Sequence, residues 1–225
     1  MCEIARKLLG GPHRVGRVIA RPFIGKPGNF VRTSRRHDYA VDPPKPMLMD
    51  VLLERSVPVF GIGKIHDIYN GRGVEEYVTT KNNADGMEKL TAAVRQRKRG
   101  LIFCNLVDFD MLYGHRKDAE GFAKSLEEFD SLLQEFLPLL AASDLLMITA
   151  DHGCDPDLRW ETTDHSREYV PILAYSPAAG AGVNLGVRDT LADMGQTIAE
   201  NSGGRIPHGK SFLGEVSRPS AQLAR

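Results

Sequence analysis

Carboxylates and imidazoles follow two apolar stretches of the sequence, and these side chains are typical ligands of divalent metal ions. The run LIFCNLV, at 101–107, leads into DFDMLYGHRKD, which supplies Asp110 and His115. The run LLMITA leads directly into Asp151 and His152, and His165 comes shortly before the run YVPILAYS. Carboxylate and imidazole donors without an obligatory thiolate suit Mn²⁺, Zn²⁺ or Fe²⁺ better than Ca²⁺ or Mg²⁺ alone. Five donors are too many for one catalytic ion with open positions, so they predict a pair of ions ~3.5–4 Å apart, which suits phosphoryl transfer.

Individual members of this set also have structural explanations, which the sequence leaves open. A single Asp-His pair after a strand is commonly a cap or a loop hydrogen bond. Asp108 could cap the turn, and Asp164 could orient His165 instead of binding metal. Cys154 lies beside the first pair, where a lone loop cysteine is more often incidental than a zinc ligand. The metal interpretation therefore depends on several such positions meeting at one edge of a sheet.

The elements that must position these side chains alternate along the sequence. Runs of strand length occur at 57–63, 75–80, 101–107, 145–149 and 170–176, and helical spacing occurs at 46–55, 83–100, 122–140 and 190–204. Gly100 is a suitable C-cap, Asp189 or Thr190 a suitable N-cap, and Pro138 should bend the end of the long third helix. Alternation of strands and helices predicts an α/β fold with a mainly parallel sheet flanked by helices. A right-handed crossover through the long helix would bring the metal-ligand loops to the same sheet edge, where ligands bind in such folds.

Composition and charge narrow the classes of function. The chain has 29 basic and 29 acidic residues, so there is no global electrostatic case for nucleic acid or for an anionic membrane as a partner. No apolar run approaches the ~18 residues that span a bilayer, and charges interrupt the N-terminal apolar stretches, unlike a signal peptide. Three scattered cysteines suit a reduced, cytoplasmic setting.

Two features near the start of the chain bear on substrate and domain boundaries. Residues 1–40 are rich in Arg, Lys and His; a solvated surface is the ordinary explanation, but beside an active site they would suit an anionic substrate. The connector VDPPKP, at 41–46, is stiff and predicts a boundary. GIGK, at 61–64, lacks Walker spacing, so a tight strand-exit turn is favoured over a phosphate loop.

Three blocks of the sequence closely resemble phosphopentomutases, a family of the alkaline phosphatase superfamily. The blocks are VGRVIARPFIGKPGNFVRTSRRHDYAVDPP, NLVDFDMLYGHRKD, and ADHGCDP with the later TDHSREYVPILAYS. The resemblance extends from about Cys2 to about Leu213. It implies an isomerase that interconverts ribose (or deoxyribose) 1-phosphate and 5-phosphate in nucleoside salvage. It also implies two bound metal ions, preferably Mn²⁺. It implies one complete ligand set and part of a second; the first is Asp110, His115 and His165, and the second includes Asp151 and His152.

The resemblance also implies where the pentose phosphate binds and how the chain is divided. Arg17, Arg32 and Lys64 resemble the positions that hold the sugar phosphate. Residues 1–42 would be the C-terminal remnant of a small α+β cap domain, and residues 43–225 the C-terminal part of the metal-binding α/β core. The loop between the two Asp-His pairs is slightly longer than is usual in the family, which should retain His165 but alter its approach.

Family members begin with a strand that ends in a metal-binding Asp, followed by a helix that presents a nucleophilic Thr, and this sequence has no counterpart of either. The expectation is therefore a family member whose 225-residue polypeptide is inactive alone, has no catalytic nucleophile and holds at most one ion tightly. Two alternatives stay open: a non-catalytic fragment that binds metal and sugar phosphate, and a related metal-dependent phosphomutase or phosphatase.

Overall fold

The structure is a computed structural model. It describes residues 1–33, 35, 37–43, 46–96, 98–157, 159, 161–179 and 182–217. The side chain of Arg32, one of the predicted phosphate ligands, lies outside the described part of the chain.

The N-terminal segment forms one helix and two small antiparallel ribbons. Helix α1 (Cys2–Leu8) packs on the ribbon of strands β1 (Arg17–Ala20) and β4 (His37–Ala40), and β2 (Phe23–Lys26) pairs with β3 (Asn29–Arg32). The connector after β4 is held to the following part of the chain by hydrogen bonds. The Asn70 side chain donates to Asp42 over 2.6 Å, and Arg72 donates to the carbonyl of Pro43 over 2.8 Å.

A parallel three-stranded sheet forms the centre of the next part of the chain. Its spatial order is β6 (Glu76–Val78), β5 (Val59–Ile62), β7 (Leu101–Cys104), and all neighbours are parallel. The helices in chain order are α2 (Leu48–Glu54), α3 (Ile65–Ile68), α4 (Asn83–Arg95), α5 (Ala119–Phe136), α6 (Ala192–Asn201) and α7 (Leu213–Val216). Helices α2 to α6 cover the sheet, and α7 packs on α6. The predicted α/β class with a parallel sheet flanked by helices is therefore confirmed.

Apolar clusters pack on both faces of this sheet because side chains alternate along each strand. Leu101 and Phe103 join the cluster centred on Leu52 and Val59, which α2 and α6 cover. Ile102, between them on β7, joins the opposite cluster, in which Met87 of α4 meets Phe136 of α5. The sheet is thus fixed between two helical layers, and the carboxyl ends of its strands are free to hold a site.

The last two strands depart from the predicted arrangement. Strand β8 (Leu146–Thr149) pairs antiparallel with β9 (Ile172–Tyr175), and among the described residues this ribbon has no ladder with β7. They were expected to be buried strands of one mainly parallel sheet, but Leu173 is 59% exposed and Tyr175 is 43% exposed. The cause is the chain path: the segment after β8 turns back and returns beside it, and a returning strand pairs antiparallel.

Several helix ends also differ from expectation. Helix α4 ends at Arg95 rather than near Gly100. Gly100, with φ +103, directly precedes β7, and an added Cβ there would lie 2.1 Å from the carbonyl oxygen of Pro58. Helix α6 begins at Ala192, whose amide donates to Thr190 Oγ1 over 3.2 Å. Pro138 lies in a 3-10 turn, Leu137–Leu139, that continues α5. None of the helices in the described ranges has the length and apolar character needed to cross a membrane.

Candidate metal centre

A π-helical turn (Phe109–Gly114) follows β7 and presents Asp110 to the carboxyl edge of the sheet. Such turns frequently occur at functional sites. The neighbouring Asp108 is 7% exposed and is held by Asn83, whose backbone amide donates to Asp108 Oδ2 over 2.7 Å. The Asp108 amide in turn donates to Asn83 Oδ1 over 3.0 Å. Asp108 therefore anchors the turn to the start of α4, and Asp110 is the carboxylate directed to the site.

Among the described residues, one oxygen of the Asp110 carboxylate has no hydrogen-bond partner. Oδ1 is buried, and the Nε2 atoms of His115 and His165 lie 3.2 and 3.4 Å from it. A buried polar atom in a native structure ordinarily has a partner, so an orphaned carboxylate oxygen requires an explanation.

Hydrogen bonds from two imidazole rings to backbone carbonyls orient the Nε2 atoms of those rings toward this region. His115 Nδ1 lies 2.5 Å from the carbonyl oxygen of Thr163, and His152 Nδ1 lies 3.0 Å from that of Gly153. A carbonyl oxygen only accepts, so each Nδ1 carries a proton, and in the neutral ring Nε2 then has the lone pair. Imidazoles that bind metal are commonly oriented in this way by a second hydrogen bond.

A single β-bridge brings the two Asp-His pairs together. Gly153 pairs with Ser166, whose amide donates to the Gly153 carbonyl over 3.1 Å. The residue before each bridge partner is a histidine, and the rings of His152 and His165 stack with centroids 3.5 Å apart and planes 12° apart. Ser166 Oγ strengthens the junction by accepting from the Asp155 amide over 2.8 Å. The returning chain thus delivers His165 to the same cleft as Asp110.

Two overlapping groups of donors share Asp110, and within each group the donor atoms lie within 4.8 Å of one another. The first consists of Asp110, His152 and His165, and the second of Asp110, His115 and Cys154. The donors are one carboxylate, three imidazoles and one thiol, which suits a transition-metal ion rather than Ca²⁺. A divalent cation would provide the missing partner of Asp110 Oδ1, so the residues present fit a metal ion.

The two remaining acidic candidates lie at the rim. The Asp151 side chain is 76% exposed, and its Oδ1 lies 3.7 Å from His152 Nε2. At the end of α3, the pKa of Tyr69 is raised, mainly by burial and secondly by the negative charge of Asp151. Asp164 is exposed, and its amide donates to Thr162 Oγ1 over 3.0 Å.

Cys154, which the sequence alone favours as an incidental loop cysteine, lies in the cluster with Asp110 and His115. Burial raises the pKa of its thiol to about 11, assisted by a hydrogen bond to Asp110 and by the charges of nearby carboxylates. Gly114 leaves room for it, since an added Cβ there would lie 2.4 Å from Cys154 Sγ. The signal in the sequence was its position two residues after His152.

The predicted phosphate-binding residues lie in two places. Lys64 follows β5, and its Nζ lies 3.2 Å from the sulfur of Met111, the neighbour of Asp110 in the π-helical turn. Gly63 before it has φ +83, and an added Cβ would lie 2.6 Å from a backbone carbonyl oxygen, so GIGK is a tight strand-exit turn. Arg17, on β1, forms an ion pair with Asp38 over 3.3 Å.

Comparisons with known proteins agree with a metal-dependent site. Residues 57–204 match the family model described as the metalloenzyme superfamily. The phosphopentomutase of Desulfitobacterium hafniense is 55% identical over 217 residues, which are 96% of this chain and 55% of that protein. The phosphopentomutase of Carboxydothermus hydrogenoformans is 51% identical over 218 residues, 97% of this chain and 56% of that protein. This chain thus spans little more than half the length of these curated relatives.

A solved structure supports the fold independently. The phosphoglycerate mutase of Leishmania mexicana superposes with a TM-score of 0.56 at 17% identity, covering 73% of this chain and 38% of that one. At this identity the likeness concerns the fold alone.

Proposed function

The chain belongs to the metalloenzyme superfamily, and we propose that it carries the metal- and substrate-binding residues of a phosphopentomutase. Such an enzyme interconverts ribose or deoxyribose 1-phosphate and 5-phosphate. The observation that carries the proposal is the orphaned Oδ1 of Asp110, with the Nε2 atoms of His115 and His165 at 3.2 and 3.4 Å. The identity of 55% to the Desulfitobacterium hafniense phosphopentomutase supports a pentose phosphate as the substrate.

In this proposal the donors divide between two ions. Asp110, His115 and His165 hold one, and Asp151 and His152 contribute to the other. The hydrogen bonds from Nδ1 of His115 and His152 to backbone carbonyls support these roles, because they leave Nε2 free to bind. When bound, divalent ions stabilise the negative charge on a phosphoryl group during its transfer. The carboxylate and imidazole donors suit Mn²⁺, the ion that we propose.

The chain's cations would hold and orient the phosphate. Lys64 lies beside the π-helical turn, and an ammonium group binds phosphate as a compact point charge. We assign Arg17 and Arg32 the same role, on a segment, residues 1–42, that we propose to be part of a cap over the site. Contact between β4 of that segment and α3, the helix that Lys64 begins, supports this position. Three free cysteines support a reduced, cytoplasmic setting.

The test begins with substrate binding, which does not require turnover. Mn²⁺-loaded protein should broaden the phosphorus resonance of ribose 5-phosphate well beyond an equal concentration of free Mn²⁺. His115→Ala should remove this effect, and Asp130→Asn, on exposed α5 surface, should retain it. Equal broadening of a hexose phosphate would instead favour a related phosphomutase, and no broadening would contradict the proposed site.

Turnover is tested by incubating the 225-residue polypeptide with ribose 1-phosphate and Mn²⁺. Conversion to ribose 5-phosphate that is abolished by His115→Ala would show that the polypeptide is active alone. That the 225-residue polypeptide is inactive by itself stays a prediction.

A further inference from the structure

We propose that Cys154 is a conditional donor to the ion held by Asp110 and His115: thiophilic ions such as Zn²⁺, Co²⁺ and Cd²⁺ recruit its thiolate, whereas Mn²⁺ leaves it unbound. The inference rests on the proposed metal site but not on mutase activity.

The geometry that supports it is a compact set of three different donors. Cys154 Sγ, a carboxylate oxygen of Asp110 and a ring nitrogen of His115 lie within 4.8 Å of one another, and all three residues are half-buried. Around tetrahedral zinc, with Zn–S of about 2.3 Å and Zn–N of about 2.0–2.1 Å, adjacent donor atoms are roughly 3.5 Å apart. A side-chain shift of about 1 Å would therefore close the set.

The surroundings hold the thiol in this position. Gly114, in the π-helical turn, has no Cβ, and one added there would lie 2.4 Å from Sγ. On either side of Cys154 the backbone is fixed: Gly153 forms the bridge to Ser166, and the Asp155 amide donates to Ser166 Oγ. The buried, unpartnered Oδ1 of Asp110 is independent evidence that a cation belongs among these atoms.

The chemistry of the donor decides which ions use it. Thiolate is a soft ligand that selects ions such as zinc, whereas Mn²⁺ is satisfied by carboxylate, imidazole and water. Zn²⁺ already binds more tightly than Mn²⁺ to most nitrogen and oxygen sites, and a thiolate adds to that difference. It would also occupy a coordination position that a catalytic ion keeps open for substrate. Zinc bound through Cys154 would therefore be a tightly held, inhibitory occupant.

Cobalt provides the direct test. Co²⁺ added to the 225-residue protein should give a near-ultraviolet thiolate-to-cobalt charge-transfer band. Cys154→Ser and Cys154→Ala should abolish the band while Co²⁺ still binds, and Cys2→Ser should retain it. His115→Ala should lose the band although Cys154 is intact in this variant. This result would distinguish a site that needs both residues from a thiol that binds cobalt alone.

Two measurements extend the test to zinc and manganese. Zn²⁺ affinity should fall about 10–100-fold in Cys154→Ser, with Mn²⁺ affinity little changed. In the unaltered protein, Zn²⁺ should slow alkylation of Cys154 by iodoacetamide and Mn²⁺ should not, a readout that needs no variant to fold.

The outcomes distinguish the inference from the proposed site. Cobalt that binds without a charge-transfer band, or a band that survives in both Cys154 variants, would overturn the inference and leave the metal site standing. An unaltered protein that binds none of these ions would overturn both.

Discussion

Replacing Asp110 with asparagine should separate metal binding from folding. In the metal-free protein Asp110 Oδ1 is buried with no hydrogen-bond partner in the described part of the chain, and a buried unsatisfied acceptor costs ~1–3 kcal/mol, more when it is charged. Asparagine keeps the shape, removes the charge, and can place an amide N–H where Oδ1 lies, 3.2 Å from His115 Nε2 and 3.4 Å from His165 Nε2. The hydrogen bond from His115 Nδ1 to the Thr163 carbonyl leaves a lone pair on Nε2 of the neutral ring, so the asparagine amide gains an acceptor. The metal-free variant should therefore be at least as stable as the parent, and more stable by up to about 1–3 kcal/mol.

The response to metal should change in the opposite direction. An ion that binds only the native state stabilises it by about 2.7 kcal/mol at a concentration one hundred times Kd. For a chain of this size, each kcal/mol shifts Tm by about 2–4 °C. The parent protein should therefore melt roughly 5–11 °C higher with saturating metal than with a chelator. Asp110→Asn should lose most of this shift because both donor groups share Asp110.

The assay is thermal unfolding followed by circular dichroism at about pH 8, where histidine of ordinary pKa is neutral. Parent, Asp110→Asn and Asp130→Asn proteins are melted with chelator, with Mn²⁺ and with Zn²⁺. Asp130→Asn, which removes a carboxylate from the exposed surface of α5, should behave as the parent in all three. A metal-free Asp110→Asn that melts several degrees below the parent, yet keeps the full metal shift, would refute the reasoning. It would make Asp110 a structural residue rather than a ligand.

Three further predictions concern the scaffold and its thiols. Gly63→Ala should lower the free energy of unfolding, measured in urea, by about 1–3 kcal/mol, because φ is +83 and an added Cβ would meet a backbone carbonyl. Gly214→Ala is the control and should leave stability unchanged, because the space around Gly214 is open. Phe136→Ala, 2% exposed, should cost about 3–5 kcal/mol by the same assay, and Leu126→Ala, 48% exposed on the same helix, far less. Burial raises the pKa of Cys104 to about 12, so at about pH 8 iodoacetamide should label it, by mass spectrometry, only after unfolding.

The sequence predicted the parts of the fold that depend on local pattern. Continuous apolar runs predicted β5 and β7, and apolar residues spaced three to four apart predicted α5. These predictions succeed because the periodicity of apolar residues indicates which faces of a strand or helix are buried. It could not predict the pairing of β8. An apolar run of four or five residues suits a parallel or an antiparallel neighbour equally, and the choice depends on where distant chain segments return.

The sequence allowed candidate residues of the site to be named, but it did not predict their arrangement. Asp108 and Asp110 are the same residue type two positions apart, and only the contact of Asp108 with Asn83 shows which carboxylate is left for a cation. Likewise, the position of Cys154 two residues after His152 does not show by itself that the thiol lies in the cluster, since its closeness to Gly114 depends on the course of two separate loops.

The bridge between Gly153 and Ser166 makes the spacing of two histidines of the candidate metal site independent of the chain length between them. His152 and His165 each precede a bridge partner, so the bridge, rather than the intervening segment, sets their separation. Insertions or deletions around 156–161 should therefore be tolerated, because doubling a loop costs only about 0.6 kcal/mol of closure free energy. An epitope or fluorophore could therefore be introduced at the same place without displacing either histidine.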